Sequence, residues 1–301
     1  MANVPRIDSA DDAWVRLLRK VRSCGEPSKP RGLRILELLA HTSRIGMSRP
    51  VVTVERRRMG FRFLAAEAWF ILTGRNDVAS IAPYSRHIAS FSNDGHRFDG
   101  AYGPKVVDQL RCVVDSLARD ADTRQAVLSI WRENPRDSKD VPCTLTVQWL
   151  VRGGLLHCLD GMRSSDAWLG WPYDVFNFSM LSAYVLLLLR ERDEKFREIR
   201  LGTLSLTAGS QHLYVDPKAD GATNVPYSIE DVDAVLDLAK VDTHFCDESC
   251  GCFNNVGCVK YAPLDLDEFD RPRELLDLLA VRKDRGSSDK KFLAEILGEK
   301  A

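Results

Sequence analysis

The sequence has almost no net charge: 42 Lys and Arg stand against 43 Asp and Glu, leaving −1 at pH 7. A surface built for a polyanion needs a cationic excess, so nucleic acid is not an expected partner. Cysteine is too sparse for a disulfide scaffold, with 8 in 301 residues, and reduced thiols are expected. Long apolar runs are lacking as well. The stretch Met180–Leu189 is shorter and more interrupted than the roughly 20 residues a bilayer requires. Residues 1–11 carry no apolar run, so no secretory signal is expected and the chain reads as cytoplasmic. There is no internal repeat, no G-x-G-x-x-G and no P-loop, which argues against a doubly wound nucleotide fold.

The hydrophobic fraction, 45%, is enough for a sizeable core. Residues 1–30 are polar, end in Pro-Ser-Lys-Pro, and read as a loosely attached arm. Residues 31–240 carry the periodic segments of the main domain, and residues 241–301 form a divergent C-terminal segment with a cysteine cluster and a charged helical tail from Glu268. Phe63–Thr73 is apolar nearly all round, which predicts a buried helix with Gly74 at its end and Glu67 in its middle. Val106–Arg119 predicts an amphipathic helix, and Phe176–Arg192 a long buried one. Ala126–Trp131, Cys143–Arg152, Leu155–Asp160 and Leu201–Ala208 read as strands, with Gly153-Gly154 as a hairpin turn. Strands and helices mix without regular alternation. That predicts an α/β (α+β) domain on a large mixed sheet packed with helices.

Several residues are candidates for chemistry. Cys143 follows Pro142 at a strand start. A cysteine is more often a small core residue than a nucleophile, and a reactive one needs cationic neighbours. Arg163 to Asp174 (RSSDAWLGWPYD) reads as a loop with an arginine, hydroxyls and acids. It is either an ordinary polar loop or a phosphate site, since guanidinium offers a fixed fork of donors. His212 and Tyr214 fall on one face of a strand. Cys246, Cys250, Cys252 and Cys258, with His244 close by, have the ligand number of a zinc site but not the usual C-x2-C spacing. Reduced loop thiols are the alternative.

Taken in order, AEAWFILTG, GAYGP, DADTRQAVLSIW, VPC, RSSDAWLGWPYD and HLY resemble the thymidylate synthase family, over about half the chain from Ala65 to Tyr214. The resemblance implies a synthase-like fold that dimerises through its sheet. It implies a pyrimidine nucleoside monophosphate substrate, with 5,10-methylenetetrahydrofolate as cosubstrate and no metal in the chemistry. Position by position, Cys143 matches the nucleophile that adds to C6 of the base. Arg163 and Ser164 match phosphate ligands, and Arg163 also favours the thiolate. Arg124 matches an arginine lent across the dimer to the partner's phosphate, although Gln125 stands where a second arginine is usual. Arg44 is the counterpart of a mobile phosphate arginine. Glu67 matches the acid that organises water and moves protons, and Tyr102 a tyrosine near the nucleophile. Asp166 matches an acid that meets the pyrimidine and the folate, and Gly170 falls among the substrate-contacting positions. His212 and Tyr214 match the pair that binds the sugar hydroxyl.

Two departures are informative. Asp174 stands where synthases carry asparagine. Asparagine answers the O4 and N3–H of uracil. A carboxyl that shares one proton with N3 answers the reversed edge of cytosine. Cytidylate hydroxymethylases, which resemble the synthases, carry aspartate here. Residues 84–92 lack the tryptophan-rich stretch of the synthases, and the familiar ending after Tyr214 is missing. A site open to water traps the exocyclic methylene as hydroxymethyl instead of letting it be reduced. The expectation is hydroxymethylation of CMP or dCMP. The alternatives are a divergent thymidylate synthase, a (d)UMP hydroxymethylase, or a non-catalytic nucleotide-binding protein on the same fold.

Overall fold

Hydrogen-bonded strands set the frame of the protein, which was analysed as a computed structural model describing residues 9–85, 87–132, 137–222, 225–240 and 263–284. Its strands are β1 (Glu26–Ser28), β2 (Ile35–Gly46), β3 (Val127–Ser129), β4 (Thr144–Arg152), β5 (Leu155–Asp166) and β6 (Arg200–Tyr214). They form one sheet in the order β1-β2-β6-β5-β4-β3. β5 and β6 run parallel and the other neighbours antiparallel. A parallel pair needs a long crossover. It is supplied by α5 (Gly170–Arg192), whose apolar residues lie nearly all round and are buried. By length and composition this helix also passes as a membrane span, more fully than the sequence suggested, but most of it lies inside the protein. It covers the sheet face carrying Val147, Trp149, Cys158 and Leu206, all inaccessible to solvent, and Trp149 Nε1 donates to Ser182 Oγ on α5 at 2.9 Å.

The hairpin between β4 and β5 turns on Gly153 and Gly154, at φ 58° and 76°, the left-handed values such a turn demands. The helices α2 (Phe61–Leu72) and α4 (Gly103–Arg119) lie where the periodicity places them, and Gly74 ends the first of them at φ 74°. The strand read at Ala126–Trp131 is shorter, and those read at Leu155–Asp160 and Leu201–Ala208 are longer. α3 (Val78–Ile81), α6 (Ile229–Lys240) and α7 (Pro272–Asp284) complete the described helices beside the N-terminal one. Of the segment from Glu268, α7 accounts for Pro272–Asp284, and residues 285–301 lie outside the described residues.

The N-terminal segment is not a loose arm over residues 10–24. These form α1 (Ala10–Cys24), capped by Ser9 Oγ accepting from Asp12 N–H at 3.2 Å. Ala10, Trp14, Leu17, Leu18 and Val21 recur at helical spacing and are buried, and Trp14 Nε1 donates to the carbonyl of Ala167 at 2.7 Å. The charges around them masked a period that burial reveals. The other face of the sheet stays uncovered in the single chain: Leu39, Val127 and Leu159 are exposed there, and the Thr42 and Thr207 hydroxyls are 2.8 Å apart across β2 and β6.

Candidate active site

Cys143 sits just ahead of β4, half-buried. Its carbonyl accepts from the Arg163 N–H at 2.8 Å, which joins the start of β4 to the end of β5. The Arg163 side chain returns over the same segment. Nε donates to the Pro142 carbonyl at 2.9 Å, and Nη2 to the Val141 carbonyl at 3.0 Å while lying 3.7 Å from Cys143 Sγ. Burial pushes the thiol above its usual value, Arg163 pulls it down, Asp174 pushes it up, and Arg31 pulls it down. A thiol under these opposing influences becomes a better nucleophile as anionic groups around it are neutralised or protonated.

Behind the thiol lies a group of buried acids. Tyr102 precedes α4, its ring stacks on Phe178, and its hydroxyl accepts from the Thr144 N–H at 3.1 Å. Burial, with the charges of Cys143 and Asp174, holds the phenol well above its ordinary range. Asp174, in the second turn of α5, is likewise held well above the carboxylate range, first by burial and then by Glu67. Gly170 opens the helix beside it, and a Cβ there would meet Asp174 Oδ2 at an ordinary van der Waals distance of 3.4 Å. Glu67, in the middle of α2, accepts from Asn177 Nδ2 at 2.8 Å. Burial pushes its carboxyl up to about 7, and the Asn177 bond works against that rise. These acids therefore hold protons near neutral pH, the property needed for proton transfer at that pH.

The segment Arg163–Asp174, read as a loop, is in fact the end of β5 and the start of α5. Ser164 lies in β5 beside Arg163. Asp166 Oδ1 accepts from the N–H groups of Trp168 and Leu169 at 2.8 and 3.0 Å and from the Tyr227 hydroxyl at 3.1 Å. Its Oδ2 is buried and has no hydrogen-bond partner among the described residues. Asp166 pairs in register with His212, and the His212 ring meets Tyr214 edge-on at 5.4 Å. The shared face predicted for this pair is observed.

Arg44 does not join the group. It is exposed in the middle of β2, opposite Ser205. Arg31 joins it instead: its charge acts on both Cys143 and the Tyr214 hydroxyl. Arg31 stands at φ 54° in a short turn, a conformation uncommon for a side-chain-bearing residue and found often at functional sites. Arg124 is exposed in the turn before β3, its carbonyl accepting from Gln148 Nε2 at 2.8 Å, and among the described residues no contact ties its side chain to Cys143. Cys246, Cys250, Cys252 and Cys258 lie outside the described residues. Asn177, Arg31 and Tyr227 escaped the sequence reading. Asn177 lies three residues beyond a recognisable motif, and the signal for the others was only an aromatic or basic residue in a turn.

Cys143 beside Arg163, backed by Glu67, Asp174 and Tyr102 on a six-stranded mixed sheet, makes a thiol site of thymidylate synthase form. Residues 12–225 match the thymidylate synthase family, and the chain belongs to that family. It is also similar to a protein described as deoxyuridylate hydroxymethyltransferase from Bacillus phage SP01, with 28% identity over 256 residues. That match covers 77% of this chain and 64% of the relative, so the chain spans somewhat under two thirds of the relative's length.

Proposed function

We propose that the protein is a one-carbon transferase that adds a hydroxymethyl group to C5 of a cytidine monophosphate, CMP or dCMP, through a covalent Cys143–C6 adduct. Family membership supports the reaction class. The observation that carries the choice of base is Asp174, a carboxyl held protonated by burial in place of an amide and acting on the Cys143 thiol.

The steps follow from the residues. Arg163, Ser164 and Arg31 hold the 5′-phosphate, and Arg124 reaches the phosphate of a partner subunit docked on the uncovered sheet face. His212 and Tyr214 hold the sugar hydroxyl. Cys143 adds to C6 and leaves C5 nucleophilic. Asp174 shares its proton with N3 and accepts from the 4-amino group, which draws electrons from C6 and assists the attack. 5,10-Methylenetetrahydrofolate, as cosubstrate, supplies the one-carbon unit. Asp166, whose Oδ2 has no hydrogen-bond partner among the described residues, is the residue that meets it. C5 then loses its proton and the bond from the one-carbon unit to nitrogen breaks, releasing tetrahydrofolate and leaving an exocyclic methylene; Glu67 activates the water that captures it, and its pKa of about 7 suits a base at neutral pH. Cys143 then departs.

A second reading, hydroxymethylation of a uridylate, draws on the similarity to the phage protein described as a deoxyuridylate hydroxymethyltransferase. Incubating the protein with methylenetetrahydrofolate and each of CMP, dCMP, UMP and dUMP, and weighing the products, separates the readings. A hydroxymethyl gain on a cytidine nucleotide is expected. A hydroxymethyl gain on uridylates alone selects the second reading. A methyl gain with dihydrofolate formation selects a synthase.

A further inference from the structure

Asn177 uses only half of its side-chain amide in holding Glu67. It lies in α5, where Val175–Met180 is apolar apart from Asn177 and Ser179. Ser179, and Ser182 a turn later, are buried at little cost, because each hydroxyl donates to a carbonyl of its own helix at 2.7 Å. Asn177 is 6% exposed. Its Nδ2 donates to Glu67 Oε2 at 2.8 Å, but its Oδ1 is buried with no hydrogen-bond partner among the described residues. A buried acceptor without a donor costs stability, and an apolar side chain would escape that cost. The position of the oxygen is narrowly bounded. The two ends of a planar amide are about 2.3 Å apart, so Oδ1 is no more than about 5 Å from Glu67 Oε2, a span that one water bridges with two ordinary hydrogen bonds. Asp174 precedes Asn177 by three residues and shares its side of α5. Glu67 itself is only partly covered at its surface, so the carboxyl group is reachable where the amide is not.

We propose that Asn177 positions the attacking water: its Oδ1 accepts one hydrogen of the water that captures the exocyclic methylene, while Glu67 accepts the other. An attacking water must turn a lone pair toward the carbon and both O–H bonds away from it, which takes two acceptors. The carboxylate is the one that can take the proton; the neutral amide oxygen only orients. The step balances. The water oxygen bonds to the methylene carbon, and one of its hydrogens passes to the Glu67 carboxylate. The electron pair between C5 and the methylene returns to the ring, and the C6–S bond breaks to release Cys143 as thiolate. Asn177 keeps both of its own hydrogens, and its Nδ2 holds the carboxylate in place throughout. The inference rests on the water-capture reading and applies to a cytidine or a uridine nucleotide alike.

The test is a competition for the methylene, which an added thiol also captures. Wild type, Asn177→Leu and Asn177→Asp are each incubated with methylenetetrahydrofolate, mercaptoethanol and the monophosphate that wild type turns over, and the products are weighed. The ratio of thioether to hydroxymethyl product counts turnovers alone, so it does not depend on how much of a variant is folded. Asn177→Leu should raise the ratio about 10- to 100-fold, the worth of a hydrogen bond to a group that gains charge. Asn177→Asp keeps an oxygen at the same place, shares one proton with Glu67, and should bring the ratio most of the way back. Asn177→Val makes the same comparison if leucine prevents folding. An unchanged ratio in the apolar variant, an Asp variant with a ratio as high as the apolar one, or a folded apolar variant that forms neither product overturns the inference and leaves the water-capture reading intact. A wild type that yields only a methylated nucleotide and dihydrofolate overturns the reading itself.

Discussion

Replacing Glu67 with glutamine should make the protein more stable at alkaline pH and far less active. The Glu67 carboxyl is raised from 4.5 to about 7 by burial. Between those values the folded protein keeps a proton that the unfolded chain has released, so stability falls as pH rises and the loss is complete above pH 7. At about 1.4 kcal/mol for each tenfold change in proton affinity, the cost approaches about 3 kcal/mol. Glutamine can accept the same 2.8 Å bond from Asn177 Nδ2 and has no charge to desolvate. Asp11, also raised to about 7 by burial, contributes a similar slope but is common to both proteins and cancels in the comparison. Urea unfolding at pH 5 and pH 8 therefore should show a small advantage for Glu67→Gln at the lower pH and about 3 kcal/mol at the higher. A variant that is less stable at both values, or whose advantage is the same at both, refutes the assignment of Glu67 as a buried, proton-retaining acid. Turnover should drop about 10²- to 10⁴-fold, the usual worth of a general acid or base.

Other outcomes follow from the same geometry. Asp174→Asn should shift preference from cytidine to uridine nucleotides, because an amide answers N3–H and O4; kcat/KM for the four monophosphates reads it, and unchanged preference removes Asp174 from base selection. Cys143→Ala should abolish both turnover and exchange of the C5 hydrogen with solvent, while nucleotide affinity by calorimetry falls only modestly. Tyr227→Phe removes the 3.1 Å bond to Asp166 and should raise KM for the folate more than for the nucleotide. Arg124→Ala mixed with a Cys143→Ala protein should regain activity if the active unit is a dimer sharing Arg124; no recovery in the mixture argues for a self-contained site.

The helices α2 and α4 and the β4–β5 hairpin were legible because long apolar periods and a Gly-Gly turn are local signals. β2 was not, since Leu38, Leu39 and Ala40 break its alternation and Ala40 sits at φ 50°. α1 hid its apolar stripe among charges. At the site, Cys143, Arg163, Asp166, Asp174 and the His212–Tyr214 pair lie together because ordered motifs mark them. The link from Glu67 to Asn177 spans 110 residues, and Asp160 is buried opposite the apolar Val147 and Leu206. Neither fact has a local signature. Arg44 illustrates the limit from the other side: the resemblance counts it among the phosphate arginines, yet it is exposed in the middle of β2.

The most direct test of hydroxymethylation by water capture is product analysis in heavy-oxygen water. Wild-type protein, CMP or dCMP and methylenetetrahydrofolate should give a 5-hydroxymethyl nucleotide whose new hydroxyl carries the heavy oxygen, and Cys143→Ala should give none. A methylated product, or product formation that survives the loss of Cys143, would contradict the account.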